Sequence, residues 1–142
     1  MKKVFVSGCY DIIHGGHVEF FKQAKALGDY LIVSFASDKV LLKYKHRTSA
    51  LPEEHKRYIL ENLKPVDKVY KSTNPEDPIF DFKDAFIAEK ANILASTEDD
   101  KHAEAKKAFC KEHGAEYVQL PKTLKFKPIS TTQMRERICG EK

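Results

Sequence analysis

Continuous apolar runs alternate with amphipathic stretches from one end of the chain to the other. Lys3-Val4-Phe5-Val6-Ser7-Gly8 reads as a buried opening strand, and His17 to Leu27 carries helical spacing closed by Gly28. Tyr30 to Phe35 is a second strand that is apolar almost throughout, followed by a loop rich in Lys and Arg. A helix is expected from about Pro52 to Leu63, with proline at the first position and Glu53 and Glu54 in the first turn, where acidic side chains are favoured. Asp67 to Tyr70 reads as a short third strand, Phe80 to Glu89 as a helix and Asn92 to Ser96 as a fourth strand. A long helix from about Asp99 to Glu112 ends near Gly114, Glu116 to Leu120 is a fifth strand, and a last short helix runs from Ser130 through Ile138. Strands buried along their whole length and joined by helices predict an α/β protein: a Rossmann-like open parallel sheet of about five strands with helices on both faces. No repeat, low-complexity tract or linker interrupts residues 1–142, so one domain is expected. Ligands of such sheets bind beyond the carboxyl ends of the strands, so the residues there carry the functional question.

Composition narrows the class. The 142 residues are 42% hydrophobic and 32% charged, enough for one buried core and unlike a disordered chain or a disulfide scaffold. No apolar run approaches the roughly 20 residues of a membrane span, and the run after Lys2-Lys3 is too short for a signal peptide. The expectation is a soluble cytoplasmic protein without membrane insertion. Cys9, Cys110 and Cys139 are widely spaced with no CxxC, which argues against a disulfide framework or a cysteine zinc site. A net charge of +4 from 25 basic and 21 acidic residues suits small anionic ligands and does not call for nucleic acid.

The chemistry concentrates after the first strand, in Gly8-Cys9-Tyr10-Asp11-Ile12-Ile13-His14-Gly15-Gly16-His17. A strand-end glycine lets backbone approach a phosphate closely. Two histidines straddle the start of the next helix, whose unpaired amides and partial positive charge attract anions. Imidazole donors there stabilise charge that builds on a phosphoryl group. Asp11 is placed to hold a magnesium ion or to orient a ribose or a histidine. Read without their flanking Gly and Asp, the two histidines also fit solvated turn residues or a pair of transition-metal ligands. Cys9 beside a histidine admits a nucleophilic thiol. Lys43, Lys45 and Arg47 fit either phosphate contacts or a solvated basic loop. Ser130-Thr131-Thr132 fits a helix N-cap that doubles as a phosphate cradle. Phe20, Phe21, Phe80, Phe82 and Phe86 read as core aromatics.

The Gly8–His17 segment resembles the GxFDxxHxGH signature of the cytidylyltransferase-like nucleotidyltransferases, with Tyr10 in place of the usual Phe. Ile129-Ser130-Thr131-Thr132-Gln133-Met134-Arg135-Glu136-Arg137-Ile138, preceded by Lys122-Thr123, is similar to the family's second signature, RTxGISTTxxxxRI. Within the family, Ala26 to Val33, Ser37-Asp38, Glu54 to Arg57 and Val66 to Val69 look most like the small single-domain enzymes of the glycerol-3-phosphate cytidylyltransferase type.

The resemblance implies transfer of CMP from CTP to a small phosphorylated acceptor, a glycerol-3-phosphate-like compound or a sugar phosphate, with release of pyrophosphate. It leaves adenylyl transfer from ATP to a heptose phosphate or FMN as an alternative, along with a nucleotide-binding module that has lost catalysis. It implies Mg2+ with the triphosphate and a homodimer. His14, His17 and Lys45 would be catalytic. Gly8, Cys9, Tyr10, Asp11 and Gly16 would bind nucleotide at the first signature; Ile129, Ser130, Thr131, Thr132 and Arg135 would do so at the second. Lys43, Lys64, Lys122 and Asp99 are candidates for acceptor or phosphate, and Asp11 for the ion that accompanies the triphosphate. Lys122 and Lys64 stand where the family often has arginine, and lysine lacks the fork that grips two phosphate oxygens. Five extra residues, Leu124 to Pro128, interrupt the second signature, and the turn Thr97-Glu98-Asp99-Asp100 lacks the family's Trp.

Overall fold

A computed structural model describes residues 1–77, 79–121 and 131–140. Five parallel strands, β1 (Lys3–Gly8), β2 (Tyr30–Ala36), β3 (Lys68–Ser72), β4 (Ile93–Thr97) and β5 (Glu116–Leu120), form one sheet in the order β3-β2-β1-β4-β5. The helices are α1 (Gly15–Lys25), α2 (Asp38–Lys45), α3 (Glu53–Glu61), α4 (Lys83–Glu89), α5 (Ala103–Glu112) and α6 (Thr131–Gly140). The expected doubly covered parallel sheet is therefore what forms.

Side chains alternate across the sheet, so each strand feeds two cores. Val4, Val6, Leu31, Val33 and Ile93 pack with Phe21 of α1 and Leu60 of α3 on one face. Phe5, Ile32 and Leu94 pack on the other with Phe86 of α4 and Phe109 of α5. The aromatic residues expected in the core are there: Phe21, Phe82 and Phe86 are buried, and Phe20 and Phe80 pack against the two clusters. The chain grows outward from β1 through β2 to β3, then returns to lay β4 on the other side of β1. That reversal opens a crevice at the carboxyl ends of β1 and β4.

Several boundaries depart from the pattern-based expectation. α1 starts at Gly15, two residues before His17, because His14 caps it. The basic stretch after β2 is a helix and not a loop: Ser37 accepts a hydrogen bond from the Val40 amide, while Val40 and Leu41 turn into the protein. α4 starts at Lys83 because the Asp77 carboxylate takes the amides of Ile79 and Phe80 into a turn. α5 starts at Ala103, since Asp100 captures the His102 amide at 3.0 Å in the same way.

Lys56 of α3 is fully buried. Its Nζ donates to the carbonyls of Cys9 at 2.9 Å and Ala36 at 3.2 Å and lies over the Phe35 ring. It thus ties together the chain ends of β1 and β2, where the site begins. Burial pushes the ammonium down from its ordinary range, and the nearby Cys9 and Asp11 pull it back up. Lys56→Met keeps the stem volume but strands two carbonyls, so urea unfolding should show a loss of about 1–3 kcal/mol with an unchanged m-value.

Candidate active site

The site grows from the end of β1. A Cβ on Gly8 would stand 2.8 Å from Cζ of Tyr10, so glycine makes the space for that ring. Tyr10 itself holds φ 49°, a left-handed backbone that non-glycine residues adopt at a cost. The return is placement: its ring meets His17 edge-on at 5.4 Å and Phe21 at 5.3 Å. The Tyr10 side chain is therefore a floor under His17.

His14 and His17 cap α1 reciprocally. The Gly16 amide donates to His14 Nδ1 at 3.1 Å, and the His14 amide donates to His17 Nδ1 at 3.1 Å. This is the logic of a capping box with imidazoles in both roles. The rings lie 4.0 Å apart at 30°. A Cβ on Gly16 would sit 2.9 Å from His14 Cε1, so the second glycine lets the His14 ring fold back over the helix start. Because each Nδ1 accepts, each neutral ring carries its proton on Nε2. Burial, helped by the neighbouring His14, pushes His17 down to about 4, and burial lowers His14 as well. The pair is thus held neutral, with Nε2–H as the donor each ring has left, at a helix end that favours anions.

Asp11 is almost fully buried and binds three parts of the chain together. Its Oδ1 accepts from Ser49 Oγ at 2.7 Å and from the Ala50 amide at 2.5 Å. Its Oδ2 accepts from Arg47 and from both Nε and Nη2 of Arg135 on α6. Burial alone would raise this carboxyl; the donors from Ser49, Arg135, Ala50 and Arg47 outweigh it and hold the group well below the usual carboxylate range. One carboxylate against two guanidiniums leaves the cluster net positive. With both oxygens engaged, Asp11 does not fit a direct metal ligand. Among the described residues no group of three or more His, Cys, Asp or Glu is arranged to hold a metal ion.

The other expected residues divide by position. Lys45 ends α2 and lines a cavity together with Gly8 and Cys9. Lys43 points elsewhere and pairs with Glu76 at 3.5 Å on the surface. Lys64 lies in the connection from α3 to β3, which reaches the amino ends of the strands and not the site. Asp99 is exposed in the turn after β4 at the carboxyl end, accepting from Thr97 Oγ1 at 2.6 Å. Lys122, Ile129 and Ser130 lie outside the described residues; Thr131 and Thr132 open α6. The Cys9 thiol is pushed up by burial against the pull of Lys45 and Lys56, which disfavours the thiolate a nucleophile needs. Lys56 lies in the Glu54 to Arg57 stretch of the resemblance, which gave it no role; Ser49 and the far wall of the cavity, Asp81, His102 and Lys106, carry no motif and were not expected from the sequence.

Paired neutral imidazoles at a helix start, at the carboxyl end of a parallel strand, are chemically able to donate to an anion there. Residues 5–137 match the cytidylyltransferase-like family model, and the chain belongs to that family. It is 35% identical over 140 residues to the glycerol-3-phosphate cytidylyltransferase of Bacillus subtilis, covering 99% of both chains. It is also 35% identical over 139 residues to the FAD synthase of Pyrococcus horikoshii, covering 96% of this chain and 91% of that one. A crystal structure of a lipopolysaccharide core biosynthesis protein from Thermoplasma volcanium superposes with a TM-score of 0.71 at 26% identity, over 87% of this chain and 98% of that one.

In a 15N histidine NMR titration, His17 should keep an Nε2–H tautomer and titrate with a midpoint of about 4. A midpoint at the ordinary value near 6.5 would contradict the burial of the His17 ring beside His14.

Proposed function

We propose that the protein transfers CMP from CTP to a small phosphorylated acceptor. A phosphate oxygen of the acceptor attacks the α-phosphorus of the triphosphate, the bond to the bridging oxygen breaks, and pyrophosphate departs with both electrons of that bond. The observation that carries the reading is the reciprocal His14–His17 cap. It spends both Nδ1 atoms on the backbone and leaves two neutral N–H donors for phosphoryl oxygens. Lys45 at the end of α2 adds a cation for the triphosphate, and the net-positive cluster of Asp11, Arg47 and Arg135 draws the anion in. The protein has little bond chemistry to perform beyond positioning and neutralising charge.

CTP is preferred because the cytidylyltransferase relative matches this chain end to end, over 99% of both. Transfer of AMP from ATP is the second reading, favoured by equal identity to an FAD synthase over 139 residues. Magnesium-dependent pyrophosphate release with CTP and ATP in parallel, against a pool of phosphorylated acceptors, separates them. CTP alone should support release; release with ATP alone would overturn the preference. His17→Ala should lower the rate on the order of 100-fold to 1,000-fold while the thermal transition remains cooperative. Full activity in that variant would sink the histidine mechanism.

A further inference from the structure

Tyr10 is only 7% exposed, and its packing uses the ring alone. The ring meets His17 and Phe21 edge-on, and its tip fills the notch that Gly8 leaves. The hydroxyl oxygen would stand 3.1 Å from a Cβ on Gly8, so it lies against the backbone at the carboxyl end of β1. Nothing among the described residues gives that oxygen a hydrogen bond. Other inward-reaching phenols are treated differently: Tyr70 meets Glu89, and Tyr117 meets Ser96 and Asp100. Ser34 carries the one side-chain polar atom, among the described residues, that is both sealed from solvent and without a partner. The Tyr10 oxygen is therefore unpartnered and keeps an opening to solvent. Phenylalanine, which the first signature has at this place, would fill the same space without leaving a nearly buried hydroxyl short of partners.

We infer that the Tyr10 hydroxyl is a further side-chain donor of the nucleotide site, giving a hydrogen bond to a phosphoryl oxygen of the bound triphosphate beside the donors of His14 and His17. The inference rests on the nucleotidyl-transfer reading above, which supplies the triphosphate. Place supports it. The oxygen sits where β1 ends, and its ring touches His17, so it belongs to the same corner as the two Nε2–H groups and the start of α1. Chemistry supports it as well. Burial, reinforced by Cys9, pushes the phenol up from its ordinary range, so the group keeps its proton and meets an anion as a neutral donor. A donor to a charged oxygen makes a stronger hydrogen bond than one to a neutral oxygen. Because the ring packs without the hydroxyl, the contact sets affinity for the phosphates and leaves the fold untouched.

Calorimetric titration of the intact protein and of Tyr10→Phe with CTP, ATP and inorganic tripolyphosphate, all with magnesium, tests this. Tyr10→Phe should weaken tripolyphosphate and the nucleotide that binds by about threefold to tenfold. Without ligand it should melt at no lower temperature than the intact protein, since no protein partner is lost. In steady state the nucleotide KM should rise, with the acceptor KM unchanged. Unchanged affinity in Tyr10→Phe overturns the inference, as does a loss confined to the nucleotide and absent with tripolyphosphate. A lower melting temperature of the ligand-free variant also overturns it, because the hydroxyl would then serve the fold. An intact protein that binds neither nucleotide nor tripolyphosphate removes the inference and the transfer reading together. Binding without pyrophosphate release, with the loss still present in Tyr10→Phe, removes the transfer reading alone and establishes the hydroxyl as a phosphate contact.

Discussion

His14 and His17 each spend one ring nitrogen on the backbone of the same helix start. In an ordinary capping box, a hydroxyl and a carboxylate satisfy those two amides, and the carboxylate keeps only acceptor oxygens, which repel an anion. Imidazole is different, since its second nitrogen stands on the far side of the ring and must then carry the proton. One pair of hydrogen bonds thereby fixes where α1 begins, which tautomer each ring adopts, and which atoms remain to meet a phosphate. The neighbouring sequence choices follow from it. Gly16 clears the space that His14 folds into, Gly8 clears the space for Tyr10, and Tyr10 accepts a left-handed backbone to lie under His17.

Charge around this pair is arranged so that little of it is buried unpaired. Asp11 gathers Arg47 and Arg135 with one oxygen and anchors Ser49 and Ala50 with the other, joining the β1–α1 turn to α6 and to the segment after α2. Lys56 performs the matching service from below, satisfying the carbonyls on which β1 and β2 end. Removing either partner of such contacts exposes a buried polar group to an apolar surrounding, which costs more than the contact contributes when intact. These residues hold the geometry on which the roles proposed for Lys45 and the two histidines depend.

Much of this was legible in the chain. The strands could be read because both faces of the sheet are covered, so Val4, Phe5 and Val6, or Leu31, Ile32 and Val33, are apolar without interruption. The histidine motif was legible as residue types at a spacing, although only the fold shows that the rings cap one another. α2 escaped notice because Lys39, Lys43 and Lys45 mask the inward set of Val40, Leu41 and Tyr44. Lys56 reads as one more charge on an amphipathic helix; nothing local tells that two strand ends meet its ammonium. Asp81 comes from the connection between β3 and α4, whereas His102 and Lys106 come from the start of α5, and only the crossing of the chain from β3 to β4 and on to α5 brings them to one cavity.

The dependence of the site on the paired imidazoles is tested most directly by 15N-histidine NMR during titration with a non-hydrolysable analogue of CTP in the presence of magnesium. The account predicts that the Nε2–H signals of His14 and His17 both shift downfield as phosphoryl oxygens accept from them, while each Nδ1 keeps the signature of an acceptor. Unmoved Nε2–H signals at saturating analogue, or protonation of either Nδ1, would contradict it.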